Sequence, residues 1–382
     1  MTQQVMIMNK TRCIYIARTT LPLTSANAVH VMKICEEFNK IFKRSFRLLV
    51  HQKLASTESI CEAYGTEPFC IDGLNIEGNG TLVAYEFARK AARYARKLHP
   101  DVVITRDPLT ALLLGLEGIK VVLDVHGDVR HLCGRGYHFF KVRQLAGLKN
   151  IRYCAITKGL RDYYIKEYGK AFERMYVLPD GVTLQNFANI SMDAVFSEDA
   201  LRIGYVGKLT AGKGVDTICR LARQDPRNQY YIYGGSREEA QQEIQDTFSE
   251  NVTFGGYIDN RKVPQLLEKL DLVLLPNKVD QICQGENIGQ FTSPLKMFEY
   301  MASGRPIIAS DIPVLREILN DENSYLVPQD DVEKWLETIQ SIERNPASAL
   351  QKAARAKLDV QRYTWENRAR SMLKEAEIDT ET

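Results

Sequence analysis

Gln290 to Leu319 reads QFTSPLKMFEYMASGRPIIASDIPVLREIL, and its punctuation alternates helix, turn, strand and helix. Thr292 and Ser293 are helix-capping residues, and Pro294 suits a first helical turn, where its missing N–H costs nothing. Leu295, Phe298 and Met301 recur at helical spacing. Gly304 falls where the left-handed residue that closes a helix belongs. Pro306 to Ala309 is short and apolar, a buried type of strand, and Asp311-Ile312-Pro313 opens a second helix. Leu272 to Pro276, just upstream, is another apolar strand. Strand, loop and exposed helix N-terminus in that order is how an α/β sheet builds an anion site.

The same rhythm runs outward from this stretch. Arg202 to Val206 is a strand, Gly207 to Gly214 a loop and Val215 to Arg223 a helix. Tyr230 to Tyr233 and Val252 to Tyr257 read as strands, Val263 to Leu270 as a helix and Tyr325 to Val327 as a strand, with helices from about Val332 onward. In the first half Cys13 to Ala17 opens as a strand, Arg18 to Asn27 is a loop, and Ala28 to Phe42 is an amphipathic helix. Phe46 to Val50, Asp101 to Thr105, Val121 to Val125 and Tyr153 to Thr157 are further strands, with helices over Leu82 to Leu98 and Lys158 to Tyr168. Residues 51 to 80 show no consistent period. Strands alternating with helices at this spacing predict βαβ units and parallel sheets, an α/β protein. Residues 188–200 lack periodicity and read as a linker. The division expected is residues 1–190, residues 198–360, and a terminal helix over 361–382 that packs back on the first part.

A chain of 382 residues is long for one core, so two domains are expected. Its 45% hydrophobic and 26% charged content is that of an ordinary globular protein. The eight cysteines form no C-x-x-C pair, which argues against a zinc site or disulfide framework. No apolar run reaches the roughly 18 residues a membrane helix needs, and the first ten residues lack a signal-peptide pattern. A cytoplasmic location is the expectation. The net charge of +2 hides an asymmetry. Residues 1–190 hold 27 Lys and Arg against 17 Asp and Glu, and the remainder 23 against 31. The basic first half lacks a recognition motif for nucleic acid, but it suits peripheral contact with an anionic membrane at the inner face. The loop after the first strand lacks G-x-G-x-x-G, which counts against a nicotinamide enzyme.

Six segments, in order, carry a resemblance: CAITKGLRDYYIKEYG, VLPDGVTLQNF, IGYVGKLTAGKGVDTI, VTFGGYIDNRKVPQLLEKLDLVLLPN, SPLKMFEYMASGRPIIASDIPVLREIL and YTWENRA. Together they resemble the retaining glycosyltransferases of family four, a bacterial type of sugar transferase with the GT-B fold. That resemblance implies two Rossmann-like domains with parallel sheets facing across a cleft. The first would be the acceptor side and the second would hold a UDP- or GDP-sugar donor. It implies transfer with retention to a glycan or lipid-linked acceptor, in cell-surface polysaccharide or glycoconjugate synthesis. Front-face attack needs no enzymic nucleophile, and none is assigned. The other readings are a sugar-nucleotide epimerase or hydrolase of the same build, and a non-catalytic nucleotide-sugar binding protein.

The diphosphate leaving group must be stabilised in such a transfer. No D-x-D occurs to hold a metal, so no metal or other cofactor is expected, and fixed cations with a helix N-terminus are the other solution. Lys208 and Lys213, on a loop with Gly207, Gly212 and Gly214, fit that role. Thr292, Ser293, Pro294 and Leu295 would face the same phosphates. The resemblance puts Glu299 on the nucleotide ribose, Tyr257 and its neighbours near the base, and His126 at the donor sugar. Family members often carry a glutamate eight positions before Glu299, where this chain has Phe291. Glu286 or Gln290 is the candidate substitute as a sugar contact. Asn27 and Arg106 are candidates for the cleft rim.

Overall fold

The computed structural model describes residues 10–78, 80–130, 142–191, 196, 200–244, 248–283 and 286–379. Cys133, His131, His138 and most of the expected linker lie outside the described residues. The chain divides into two compact units. One comprises residues 1–156, 160–179 and 365–382; the other comprises 157–159 and 180–364.

The first unit is built on a seven-stranded sheet, all its paired neighbours parallel, in the order β3-β2-β1-β4-β5-β6-β7. Its strands are β1 Cys13–Leu21, β2 Phe46–Lys53, β3 Ile71–Gly73, β4 Val102–Thr105, β5 Val121–Val125, β6 Ile151–Ala155 and β7 Tyr176–Val177. The sequence order reverses between β1 and β4, which makes that pair the switch point where ligands gather beyond the strand ends. Cys13 to Ile16 are wholly buried, because helices covering both faces leave a central parallel strand no wet side. The helix Trp365–Glu375 belongs to this unit and packs against the helix Ala26–Phe42.

The first unit departs from the sequence reading in three places. β1 runs on to Leu21, and the next helix starts at Ala26 with the Ser25 hydroxyl accepting from the Ala28 amide. Of the expected loop Arg18 to Asn27, residues 18–21 are therefore strand and residues 26–27 helix, with 22–25 between them. Within the unassigned residues 51–80 lie a short helix, Thr57–Tyr64, and β3. Ser56 caps that helix and left-handed Gly65 closes it. The helix Pro108–Leu116 has no period to read, since PLTALLLGL is apolar on nearly every side and largely buried.

The second unit carries a six-stranded parallel sheet in the order β10-β9-β8-β11-β14-β15. These are β8 Arg202–Val206, β9 Gln229–Tyr233, β10 Val252–Phe254, β11 Leu272–Leu275, β14 Ile307–Ser310 and β15 Tyr325–Val327. A two-stranded ribbon, β12 Ile282–Cys283 and β13 Glu286–Asn287, lies outside it. Period two sorts the core: Val273 and Leu275 join one buried cluster, Leu272 and Leu274 the other. β10 stops at Phe254, because Gly255 and left-handed Gly256 follow, short of the Tyr257 read from the sequence. The switch point falls between β8 and β11, and the loop from Gly207 to Gly214 and the segment leading to Leu295 leave these two strands.

Candidate active site

Beyond β8 the chain turns through Gly207 to Gly214 and enters the helix Val215–Gln224. Gly214 has φ +77°, and a Cβ there would lie 1.9 Å from the Pro276 carbonyl oxygen. Only glycine lets this loop approach the segment leaving β11 so closely. The Lys278 amide donates to the Gly212 carbonyl at 2.9 Å, tying the two segments together. Half-buried Lys213 donates from Nζ to Gln281 Oε1 at 2.7 Å, so its ammonium is held across the loop. Lys208 is exposed, and its carbonyl accepts from the Tyr205 hydroxyl at 2.7 Å. The structure thus brings Gly207, Lys208 and Lys213 to one strand end.

The segment leaving β11 leads into the helix Leu295–Ser303. Pro294 is not in its first turn but is the residue before it, with φ −71° and ψ 118°. Extended backbone at that position lets the free amides start at Leu295. Neither Thr292 nor Ser293 caps the helix: the N-cap is Pro294, which offers no side-chain hydrogen bond. The Ser293 hydroxyl instead accepts from the Asp180 amide at 3.3 Å. Gly304 closes the helix in the left-handed conformation, φ 68°. Glu299 is half-exposed one turn in. Phe291 is buried, and its carbonyl accepts from the Thr157 hydroxyl at 3.1 Å. An acid at 291 would face a core environment, which explains the apolar residue there. Gln290 is exposed. Glu286 lies in β13, and its side chain is outside the described residues. Tyr257 is 70% exposed and donates from its hydroxyl to Glu239 Oε1 at 2.8 Å.

In the first unit Arg106 follows β4 and hydrogen-bonds Asn27 at the start of the helix after β1. The two expected rim residues therefore meet at the switch point of that sheet. His126 follows β5, but its ring turns back on the protein: Nε2 lies 3.0 Å from Asp124 Oδ2. His30 stands edge-on to it at 4.6 Å between ring centroids and packs on Trp365 at 5.0 Å. The other Asp124 oxygen, Oδ1, accepts from Arg368 Nη2 at 2.6 Å. Burial alone would raise the Asp124 carboxyl, but Arg368 and His126 more than offset it and hold it well below the usual carboxylate range. Burial lowers His126 to about 4 and the nearby Arg106 guanidinium adds to this, with Asp124 opposing. The imidazole is thus neutral at physiological pH.

The donor atoms of His30, Asp124 and His126 all lie within 4.8 Å of one another, the spacing of a metal site. Yet the Arg368 guanidinium already answers the one carboxylate, and a second cation beside it would be repelled. We read the group as an ion-pair network that fixes the His126 ring. His30, Asp124 and Arg368 were not singled out in the sequence, although an aspartate inside the apolar run VVLDV was the available signal: a charge in a parallel core strand needs a partner.

Residues 74–186 match the family model described as Glycosyltransferase Family 4, and residues 200–345 the model described as Glycosyl transferases group 1. Among curated proteins, the teichuronic acid biosynthesis glycosyltransferase TuaH of Bacillus subtilis is 23% identical over 182 residues, 45% of this chain and 44% of that protein. The D-inositol 3-phosphate glycosyltransferase of Xylanimonas cellulosilytica is 23% identical over 239 residues, 57% of this chain and 55% of that protein. The chain spans about half the length of the curated relatives it matches. The structure of Anabaena HepE superimposes with a TM-score of 0.70 at 14% identity, covering 95% of this chain and 98% of that one. The fold is of GT-B type, and two glycosyltransferase family models match separate stretches of the chain. More particularly, its first matched segment is of the family-4 kind and its second of the group-1 kind.

Proposed function

We propose that this protein transfers a sugar from a UDP- or GDP-linked donor to a glycan or lipid-linked acceptor in cell-surface polysaccharide or glycoconjugate synthesis. The observation that carries this reading is the meeting of Lys208, Lys213 and the Leu295–Ser303 helix at the β8/β11 switch point. Fixed cations and an exposed helix N-terminus suit a diphosphate, and Glu299 one turn further on suits a ribose. HepE, of the same fold, was solved with UDP-glucose, and TuaH is named for a cell-envelope polymer. Both support a nucleotide sugar and a surface acceptor here. Retention and independence of metal rest on the resemblance to family four. On that account the leaving diphosphate takes the acceptor proton, and Lys208 and Lys213 balance its growing charge.

No helix among the described residues is long and apolar enough to cross a membrane. Reaching a lipid-linked acceptor would then fall to a surface, and the helix Thr81–Leu98 offers one. Leu82 (84% exposed) and Tyr85 (54%) continue into exposed Arg89, Arg93, Arg96 and Lys97. Apolar side chains at one end and cations along the rest suit an anionic bilayer, each cation contributing about 1 kcal/mol. Sedimentation with vesicles should show binding to anionic lipid and little to neutral lipid; equal binding to both would sink the membrane role.

A thermal-shift screen against nucleotides and nucleotide sugars tests the donor reading, since a ligand that binds the folded state raises its melting temperature. Stabilisation by a UDP- or GDP-sugar, and donor turnover only when an acceptor is supplied, are expected. Turnover without acceptor would turn the assignment to a hydrolase or epimerase, and binding without turnover to a nucleotide-sugar binding protein.

A further inference from the structure

The first turn of the Leu295–Ser303 helix carries a cation that apolar spacing passes over. Lys296 is 9% exposed. Its Nζ lies 3.8 Å from the centroid of the Tyr205 ring, near the end of β8 before the glycine loop, and has no hydrogen-bond partner. A Cβ placed on Gly207 would meet that nitrogen at 3.1 Å. The ammonium therefore sits directly beneath the backbone where the glycine loop begins, and a side chain at 207 would crowd it. A buried amine without a hydrogen bond is costly, and the Tyr205 ring face compensates only in part.

We propose that Lys296 is a third cationic contact for the donor diphosphate, reaching the phosphates from under the Gly207 junction while Lys208 and Lys213 approach from the loop. This rests on the nucleotide-sugar reading of the site. Three features converge on it: the helix N-terminus, the glycine that leaves room, and the unpartnered nitrogen between them. The electrostatics agree with the placement. Burial lowers the Lys296 ammonium well below its ordinary value, Lys213 lowers it further and Glu299 opposes, so these groups share one field. An arriving diphosphate opposes that balance and favours the charged form of Lys296.

The test uses the full chain and titration calorimetry with UDP and GDP. It is run at about pH 8, above the second phosphate ionisation near 6, in buffers of different ionisation enthalpy. Binding to the wild type is expected to take up protons, read as a dependence of the apparent enthalpy on the buffer. Lys296→Met should weaken the diphosphate by about 10- to 100-fold, the loss of a charged hydrogen bond. It should abolish the proton uptake and leave the ligand-free melting temperature equal or higher, because a buried unpartnered amine is gone. A merely structural lysine would move none of the proton uptake. Wild-type binding with no proton uptake overturns the proposal without needing any variant to fold, and so does unchanged affinity in Lys296→Met. If neither UDP nor GDP binds the wild type, the nucleotide-sugar reading itself falls, and this one with it.

Discussion

Asp124→Asn is expected to destabilise the first unit by about 3–5 kcal/mol, the cost of leaving a buried charge without its partner. Asp124 is fully buried in β5, and its two oxygens face Arg368 Nη2 at 2.6 Å and His126 Nε2 at 3.0 Å. Asparagine keeps the shape but removes the charge, so the Arg368 guanidinium, itself 3% exposed, stays buried against a neutral group. Arg368 also donates to the carbonyls of Leu178 and Pro179, and these contacts would hold it in place rather than let it escape to water. Arg368→Met should cost a similar amount, because it strands the carboxylate instead. The double variant Asp124→Leu with Arg368→Met should recover most of the loss, since an apolar pair of similar volume often replaces a buried ion pair at little cost. Hydrogen exchange of the β5 and β6 segments reads this out for the first unit alone. Protection in Asp124→Asn within about 1 kcal/mol of wild type would show that the charge network carries no stability.

Lys213→Ala is expected to weaken a bound nucleoside diphosphate by about 10- to 100-fold, as a charge-assisted contact is worth about 1.5–3 kcal/mol. The side chain is half-buried and anchored on Gln281, which is 1% exposed. Its ammonium is therefore pre-positioned, and little entropy is lost when phosphate arrives. The matched control is Glu299→Ala. Removing a ribose contact should weaken nucleoside monophosphate and diphosphate alike, whereas removing Lys213 should weaken the diphosphate more. Calorimetry with both ligands separates the two patterns. Equal affinities for diphosphate in wild type and Lys213→Ala would move the phosphates away from the glycine loop.

Legibility in the sequence followed the periodicity. The helix Lys158–Tyr168 and the strands β5, β8 and β15 stand where the apolar pattern put them, since each presents a plain run or stripe between turn residues. Pro108–Leu116 was invisible for the opposite reason, being apolar all round. The glycine loop after β8 and the helix start after β11 could be read because glycines, lysines and a helix start are local signals. His126 could be found as a strand-end residue, but not that its ring points back to Asp124. Asp124 is in turn paired with Arg368, which lies 244 positions away along the chain. Lys296 was missed because it falls between the apolar positions Leu295 and Met297, where a lysine reads as solvated. Side-chain partners distant in sequence are set by tertiary packing, and no local period encodes them.

The helix Trp365–Glu375 belongs to the unit that holds the earliest strands. During synthesis, β1 to β7 leave the ribosome well before that helix, and the whole of residues 180–364 emerges in between. Until then Asp124 has no guanidinium and His30 no indole cover, so the first sheet waits half-finished while the later unit can close by itself. Domains made in order usually fold in order. Here the unit started first is the one completed last, and the nascent chain must keep an incomplete apolar face from finding other partners until its final helix arrives.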